Sequence, residues 1–240
     1  MKPRYCKCGT RKVLAADGYY CPDCVLKYIK GEMSHTEKDR ISTFIEQTHD
    51  NPHCLLKAYT VESDFYVKLN RDLATSHFDQ GKNFGITFFI DFFYNHPAFK
   101  DLSYKGKVYR GMCMTHDDMK QYSVGKKVMN KAFMSTTKNR YVAEQFAKNG
   151  LSDRVKQYGG HVKLSSLCVY EILNDRTGLD IESISEYRHE EEVLVGPYSA
   201  FIITTIRQIA SNYVEIDLRE CEGITNENND EGDDDDFDED

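Results

Sequence analysis

Apolar positions in the first third of the chain recur at helical intervals. Ser34 stands three residues before Glu37 in SHTEKDRISTFIEQ, the spacing of a capping box, and Ile41, Phe44 and Ile45 follow on one helical stripe. AYTVESDFYVKLNRDLA repeats the pattern with Phe65, Tyr66, Leu69 and Leu73. KNFGITFFIDFFYNHPAF reads as a third, strongly apolar helix that stops at His96, because Pro97 disfavours helical geometry in the residue before it.

Beyond that point the texture changes to short runs of β-branched and aromatic residues. GKVYRGMCM and VMNKAFMSTT read as strands, and NRYVAEQFAKNG as a short helix closed by Gly150. GGHVKLSSLCVYEIL, EEVLVGP, SAFIITTIRQI and NYVEIDLREC supply further strands with polar turns between them. A helical half followed by a strand-rich half predicts an α+β fold rather than a doubly wound parallel sheet. The chain has no internal repeat and no glycine-rich phosphate loop, so a bound nucleotide must be held in another way.

The 240 residues are 40% apolar, enough for one good core and a small appendage. The most apolar stretch, GITFFIDFF, is short and contains Asp91, which predicts no transmembrane helix. The opening MKPRYCKCG lacks the apolar segment of a signal peptide, so an intracellular, reducing setting is expected, either cytoplasmic or after delivery into a host cell. Four of the eight cysteines fall in the first 24 residues, as Cys6 and Cys8 in YCKCG and Cys21 and Cys24 in YYCPDC. Asp17-Gly18 marks a turn between two strand-like runs that separate the pairs. Residues 1–30 thus read as a zinc-ribbon-like segment whose four thiolates close a tetrahedral zinc shell. The first pair is one residue tighter than the usual CxxC, and free or disulfide-bonded cysteines are the alternative. His35, His49 or His53 could replace one ligand.

The net charge of −8 is unevenly spread. From Glu222 to Asp240 there are 11 acidic residues and no Lys or Arg; with these set aside, 31 basic residues face 28 acidic ones, a formal charge of +3. Residues 222–240 therefore read as a disordered acidic tail, leaving 31–221 as the main domain. The small KCGTRK cluster and a body of only +3 argue against nucleic acid as a partner.

Three strand-borne motifs carry candidate chemistry. VYRGM places Arg110 in a strand, where its planar fork suits a phosphate or carboxylate; a structural Arg–Glu pair is the plainer reading. Gly111 beside it allows a ligand to approach the backbone. In FMSTT, alternation sends Ser135 and Thr137 to one face, where hydroxyls can hold a sugar or brace a carboxylate. In HEEEVLVGP, a strand starting near Glu190 would put Glu190 and Glu192 on one face, roughly 7 Å apart, with Glu191 facing away as a solvated neighbour. Two such carboxylates can stabilise a cationic transition state and activate a nucleophile; a charged loop is the alternative.

Taken in order, VYRG, F-x-S-T and E-x-E-V-L resemble the R-S-E class of arginine-specific mono-ADP-ribosyltransferases, shared by vertebrate ecto-enzymes and binary-type bacterial toxins. The resemblance runs from about Tyr59 to about Leu218. It implies a mixed β-sandwich core and an enzyme that moves ADP-ribose from NAD to arginine on a protein acceptor. In that scheme Arg110 holds the NAD phosphates, Gly111 lies against the nicotinamide amide, and Ser135 holds the nicotinamide ribose. Glu192 stabilises the oxocarbenium ion, Glu190 activates the acceptor arginine, and Tyr187 touches that acceptor. Tyr59 lines the adenosine side, and Phe146 packs either near the nicotinamide or in a helix core. Three positions depart from the family pattern: Thr137 replaces the last serine of S-T-S, Ala132 replaces a glutamine, and VLVGP has one proline where two are usual. An NAD glycohydrolase and a non-catalytic zinc-ribbon interaction module are the rival readings. The sequence leaves the oligomeric state open.

Overall fold

The computed structural model describes residues 13–15, 18–20, 43–44, 47, 51–61, 64–75, 84–148 and 163–222. Cys6, Cys8, Cys21, Cys24, the Ser34 cap, Gly150 and residues 223–240 of the acidic tail lie outside them. The hairpin expected around Asp17-Gly18 is present as β1 (Val13–Ala15) and β2 (Gly18–Tyr20), antiparallel, with Val13 opposite Tyr20. The described cysteines, Cys54, Cys113, Cys168 and Cys221, are all free thiols. Among the described residues no helix is long and apolar enough to cross a membrane.

Among the described residues, α1 (His53–Thr60), α2 (Asp64–Thr75) and α3 (Phe84–Asn95) precede the main sheet, and Thr43, Phe44 and Gln47 ahead of them are also helical. The stretch from Ala58 to Ala74 is therefore not one helix. Thr60 closes α1, and Val61 turns extended at ψ 122° before α2 begins. Helix α3 stops before Pro97 as expected, and His96 caps the 3-10 turn Pro97–Leu102 by accepting the Ala98 N–H. Leu55, Leu56, Tyr59, Phe65, Leu69, Phe92, Phe93 and Phe133 form one apolar core, into which Phe44 also packs.

The strands are β3 (Ser103–Tyr104), β4 (Gly106–Thr115), β5 (Lys127–Met129), β6 (Met134–Thr137), β7 (Lys163–Ile172), β8 (Gly178–Asp180), β9 (Glu192–Val195), β10 (Ala200–Ala210) and β11 (Tyr213–Glu220). Residues 140–148 form a further helix, α4. The ladder order is β3-β8-β9-β6-β4-β7-β11-β10-β5, with β7 and β11 the parallel pair. VMNKAFMSTT, expected as one strand, is two. Its first part lies at the sheet edge beside β10 and its second lies between β4 and β9. The break is at Asn130, whose amide donates to the carbonyls of Ala132 and Gly196, so the turn is satisfied by a partner 66 residues away.

The ladder has a waist. β4 and β7 pair over ten residues, whereas β4 and β6 share one pair, Tyr109 with Thr137. At the waist the sheet folds back on itself. β8 is four strands from β7 in the ladder, about 19 Å in a flat sheet. Yet a Cβ on Gly178 of β8 would lie 2.9 Å from Ile172 of β7. Val193 and Val195 of β9 accordingly share a core with Val108, Tyr170, Phe201 and Ile216 from the other half. Leu194, between them, faces the helical core. Strand β9 is thus buried on both faces, and its apolar VLV run follows from that position.

Candidate active site

At the waist, one cavity of about 470 Å³ opens between α1, β4, β6, α4 and the segment leading into β9. Tyr59, Arg110, Gly111, Ser135, Tyr187, Glu190 and Glu192 all line it, as does Phe146. Residues up to 133 positions apart meet here, around the junction where β4 and β6 share a single pair.

Arg110 sits mid-strand in β4, opposite Cys168 of β7. Its Nη1 donates to the Ser135 carbonyl, 2.5 Å away, which fixes the guanidinium across the waist. The plainer Arg–Glu reading does not hold: among the described residues Arg110 makes no ion pair. Its other N–H donors remain available to an anion in the cavity.

Gly111 lines the cavity, and the fold gives a further reason for a glycine there. A Cβ there would fall 1.9 Å from the Ala143 carbonyl oxygen and 2.6 Å from the Ala147 nitrogen. The close neighbour is the backbone of α4, not only a ligand. Ala143 and Ala147 are fully buried against this point, and Ala143 packs on Leu167 and Val169 of β7. Arg140 then ties the helix to β11 through Glu215, which Arg207 also grips at 2.5 Å. Burial pushes the Glu215 carboxyl up, but the two arginines outweigh it and hold the carboxyl below its usual range. Phe146, on the same helix, is 52% exposed, so it is not a core residue; it lines the cavity mouth.

The glutamates reach the cavity by a route that strand alternation does not describe. The strand begins at Glu192, not Glu190. Arg188–Glu190 is a 3-10 turn, and Glu191 is left-handed at φ 48° and ψ 49°. On either side of that pivot both carboxylates line one cavity, although only Glu192 is in the sheet. Glu191 is anchored rather than solvated: its Oε1 accepts from Asn139 Nδ2 at 2.8 Å, and its carbonyl accepts the Lys138 N–H. Those two bonds offset the cost of the left-handed conformation.

Glu192 is 5% exposed. Burial raises its carboxyl above the usual range, and the Glu190 charge adds to this; hydrogen bonds from Ser135 and Ser185 and the charge of Arg110 pull it back. Such an environment suits a carboxylate kept ready beside a developing positive charge. Ser135 lies opposite Leu194, and Thr136 donates to the Val193 carbonyl at 2.6 Å, locking β6 to β9. Tyr187 caps the 3-10 turn and is half-buried. Tyr59 packs edge-on to Tyr66, and its hydroxyl accepts from Asn70 at 2.9 Å.

Sequence reasoning missed Ser185, Thr60, Asn139 and Lys138. Ser185 is buried beside Glu192, and Lys138 bridges Asp180 and Glu182 at the end of β8. None stands in a spacing that marks chemistry, so no local signal could have found them. Among the described residues, no group of three His, Cys, Asp or Glu could hold a metal ion.

Residues 26–225 match the family model of the NAD:arginine ADP-ribosyltransferases. By sequence alone no curated protein matches. Several solved structures share the fold. The type III effector XopAI from Xanthomonas axonopodis pv. citri has a TM-score of 0.56 at 16% identity, over 84% of this chain and 82% of that one. Vis toxin, an ADP-ribosyltransferase from Vibrio splendidus, has a TM-score of 0.53 at 19% identity, over 85% and 94%. A variant of the eucaryotic mono-ADP-ribosyltransferase ART2.2 in complex with NADH has a TM-score of 0.54 at 18% identity, over 85% and 86%.

Proposed function

Because the chain belongs to the NAD:arginine ADP-ribosyltransferase family, we propose that the waist cavity binds NAD and transfers its ADP-ribose to arginine on a protein acceptor, releasing nicotinamide. The observation that carries this reading is the convergence of Arg110, Ser135, Glu190 and Glu192 on one cavity from separate elements. The residues fit a dinucleotide. Arg110 offers free guanidinium N–H groups for a diphosphate, Ser135 a hydroxyl for a ribose, and Tyr59 an apolar wall on the adenosine side. The volume is in the ordinary range for small-molecule sites. The related fold of ART2.2 was captured with NADH, which supports the assignment.

The division of labour follows from the two carboxylates. Glu192, buried and held by two serines, stabilises positive charge on the ribose as the bond from its C1′ to the nicotinamide nitrogen breaks and the electron pair leaves with nicotinamide. Glu190, on the turn, orients an incoming guanidinium and takes its proton as the new C1′–N bond forms. Tyr187 and the turn face the acceptor. Cys6, Cys8, Cys21 and Cys24 are proposed as a zinc shell separate from the chemistry. The β1–β2 ladder, which pairs Val13 with Tyr20 between the two cysteine pairs of the sequence, supports that part. Metal stoichiometry of the purified chain tests it.

The catalytic reading is tested by nicotinamide release from NAD with and without agmatine, using wild type, Glu190→Gln and Glu192→Gln. Release by wild type, loss of agmatine modification in Glu190→Gln and loss of all release in Glu192→Gln are expected. Release that ignores agmatine would make the enzyme a glycohydrolase. No release from folded wild type would overturn the assignment.

A further inference from the structure

The segment between β8 and β9 carries Tyr187 and Glu190, and its base is fastened at Ser185. That residue is 3% exposed. Its N–H donates to the Ile181 carbonyl at 2.7 Å, and its Oγ accepts the Tyr187 N–H at 3.1 Å. A serine hydroxyl has one proton to give. Here it is directed at Glu192 Oε2, 3.3 Å away. The next residue is held by α1: the Glu186 N–H donates to Thr60 Oγ1 at 3.3 Å, and the Glu186 carboxylate meets Lys57 Nζ at 3.2 Å. The segment is thus pinned just before its exposed part, where Arg188 and His189 face solvent. The hydroxyl–carboxylate separation is longer than a full O–H···O bond, as is common before substrate tightens a site.

We propose that Ser185 is a positioning residue that couples the Tyr187–Glu190 turn to the Glu192 carboxylate, so that seating an acceptor on the turn draws Glu192 into its working orientation. The inference rests on the reading of Glu192 as the carboxylate at the reacting ribose. One oxygen atom connects the two halves of the reaction. Displacing the Tyr187 N–H moves the hydroxyl, and moving the hydroxyl reorients the carboxylate. The groups that face Glu192 are Arg110 from β4, Glu190 from the turn and the Tyr59 phenol from α1. All of them stay in place in the variants below.

The test uses the full chain with Ser185→Ala, following NAD turnover and the share of turnovers captured by agmatine across pH. Loss of one hydrogen bond to the carboxylate is expected to lower kcat about fivefold. The KM for NAD stays within about twofold, since Ser185 itself does not line the proposed NAD cavity and acts only through residues that do. The acid limb of the kcat profile moves to higher pH, because a donor to the ionised form is gone. The captured share also falls. Ser185→Cys keeps the side-chain size with a weaker donor, and an intermediate limb is expected. Should Ser185→Ala fail to fold, Ser185→Cys decides the matter by the same limb and captured share. A lowered Tm with the limb and captured share unmoved would make Ser185 structural only and overturn the coupling. Glu192→Gln in parallel separates the two claims: if it releases nicotinamide at close to the wild-type rate, the reading beneath the proposal fails. If it is inactive while Ser185→Ala matches wild type, only the coupling fails.

Discussion

Strand β9 and the turn before it are adjacent in sequence and opposite in character. From Glu192 to Val195 every residue is buried, with the β6 and β8 ladders on either side and apolar clusters against both faces. In the turn, Arg188 and His189 are exposed and Glu190 is half-buried. The left-handed Glu191 separates the two. On the proposed function, this difference suits two carboxylates of different duty: the group assigned to NAD is built into the sheet, whereas the group assigned to a variable acceptor lies on the turn before it.

The comparison breaks most visibly at Glu192. Glu192→Gln keeps the shape and loses the charge, and nicotinamide release should fall by about 10²–10³-fold in a single-turnover assay. Glu190→Gln should instead lower arginine modification about 10²-fold while leaving release within about threefold. If both variants lose both activities equally, the division between strand and turn is wrong. The same Glu190→Gln variant sharpens the electrostatics. On the proposed function Glu192 works ionised, and burial raises its carboxyl above the usual range, so activity is expected to rise with pH through a limb above 4.5. Removing the neighbouring charge should move that limb to lower pH in a kcat–pH profile.

Rigidity on the strand side depends on α4, and Gly111→Ala tests it. A methyl group cannot share space with the Ala143 carbonyl, so chemical denaturation should show a loss of about 3 kcal/mol or more. The smallest expected effect is one of stability. A carboxyl raised in the folded state adds stability below 4.5 and loses it as pH rises through its folded value. Glu192→Gln should therefore be more stable than wild type at neutral pH, by about 1 kcal/mol or 2–4 °C in Tm, with the advantage shrinking in acid. A site that gains stability when its carboxylate is neutralised is one held charged for chemistry.

Much of this was legible before the fold. The run of apolar strands, the stop at Pro97 and the Asp17-Gly18 hairpin are local matters of periodicity and turn chemistry, and each is present. The site motifs were legible because each residue type brings its chemistry with it. The failures share a cause. VMNKAFMSTT divides because Asn130 bonds to Gly196, and AYTVES breaks because Val61 turns extended beside the cavity. Glu191 reads as a solvated neighbour in the sequence because its partner, Asn139, is 52 positions distant.

By itself the sequence determined the classes of element, the family resemblance and the identity of the residues that carry charge at the site. These depend on side-chain chemistry and on spacings of a few residues. Only the tertiary structure decided how Glu190 and Glu192 share a cavity, why Gly111 must be glycine and what Ser185 touches. Each of these depends on a backbone pivot or a contact between segments brought together when the sheet folds at its waist. No spacing along the chain encodes such a distance.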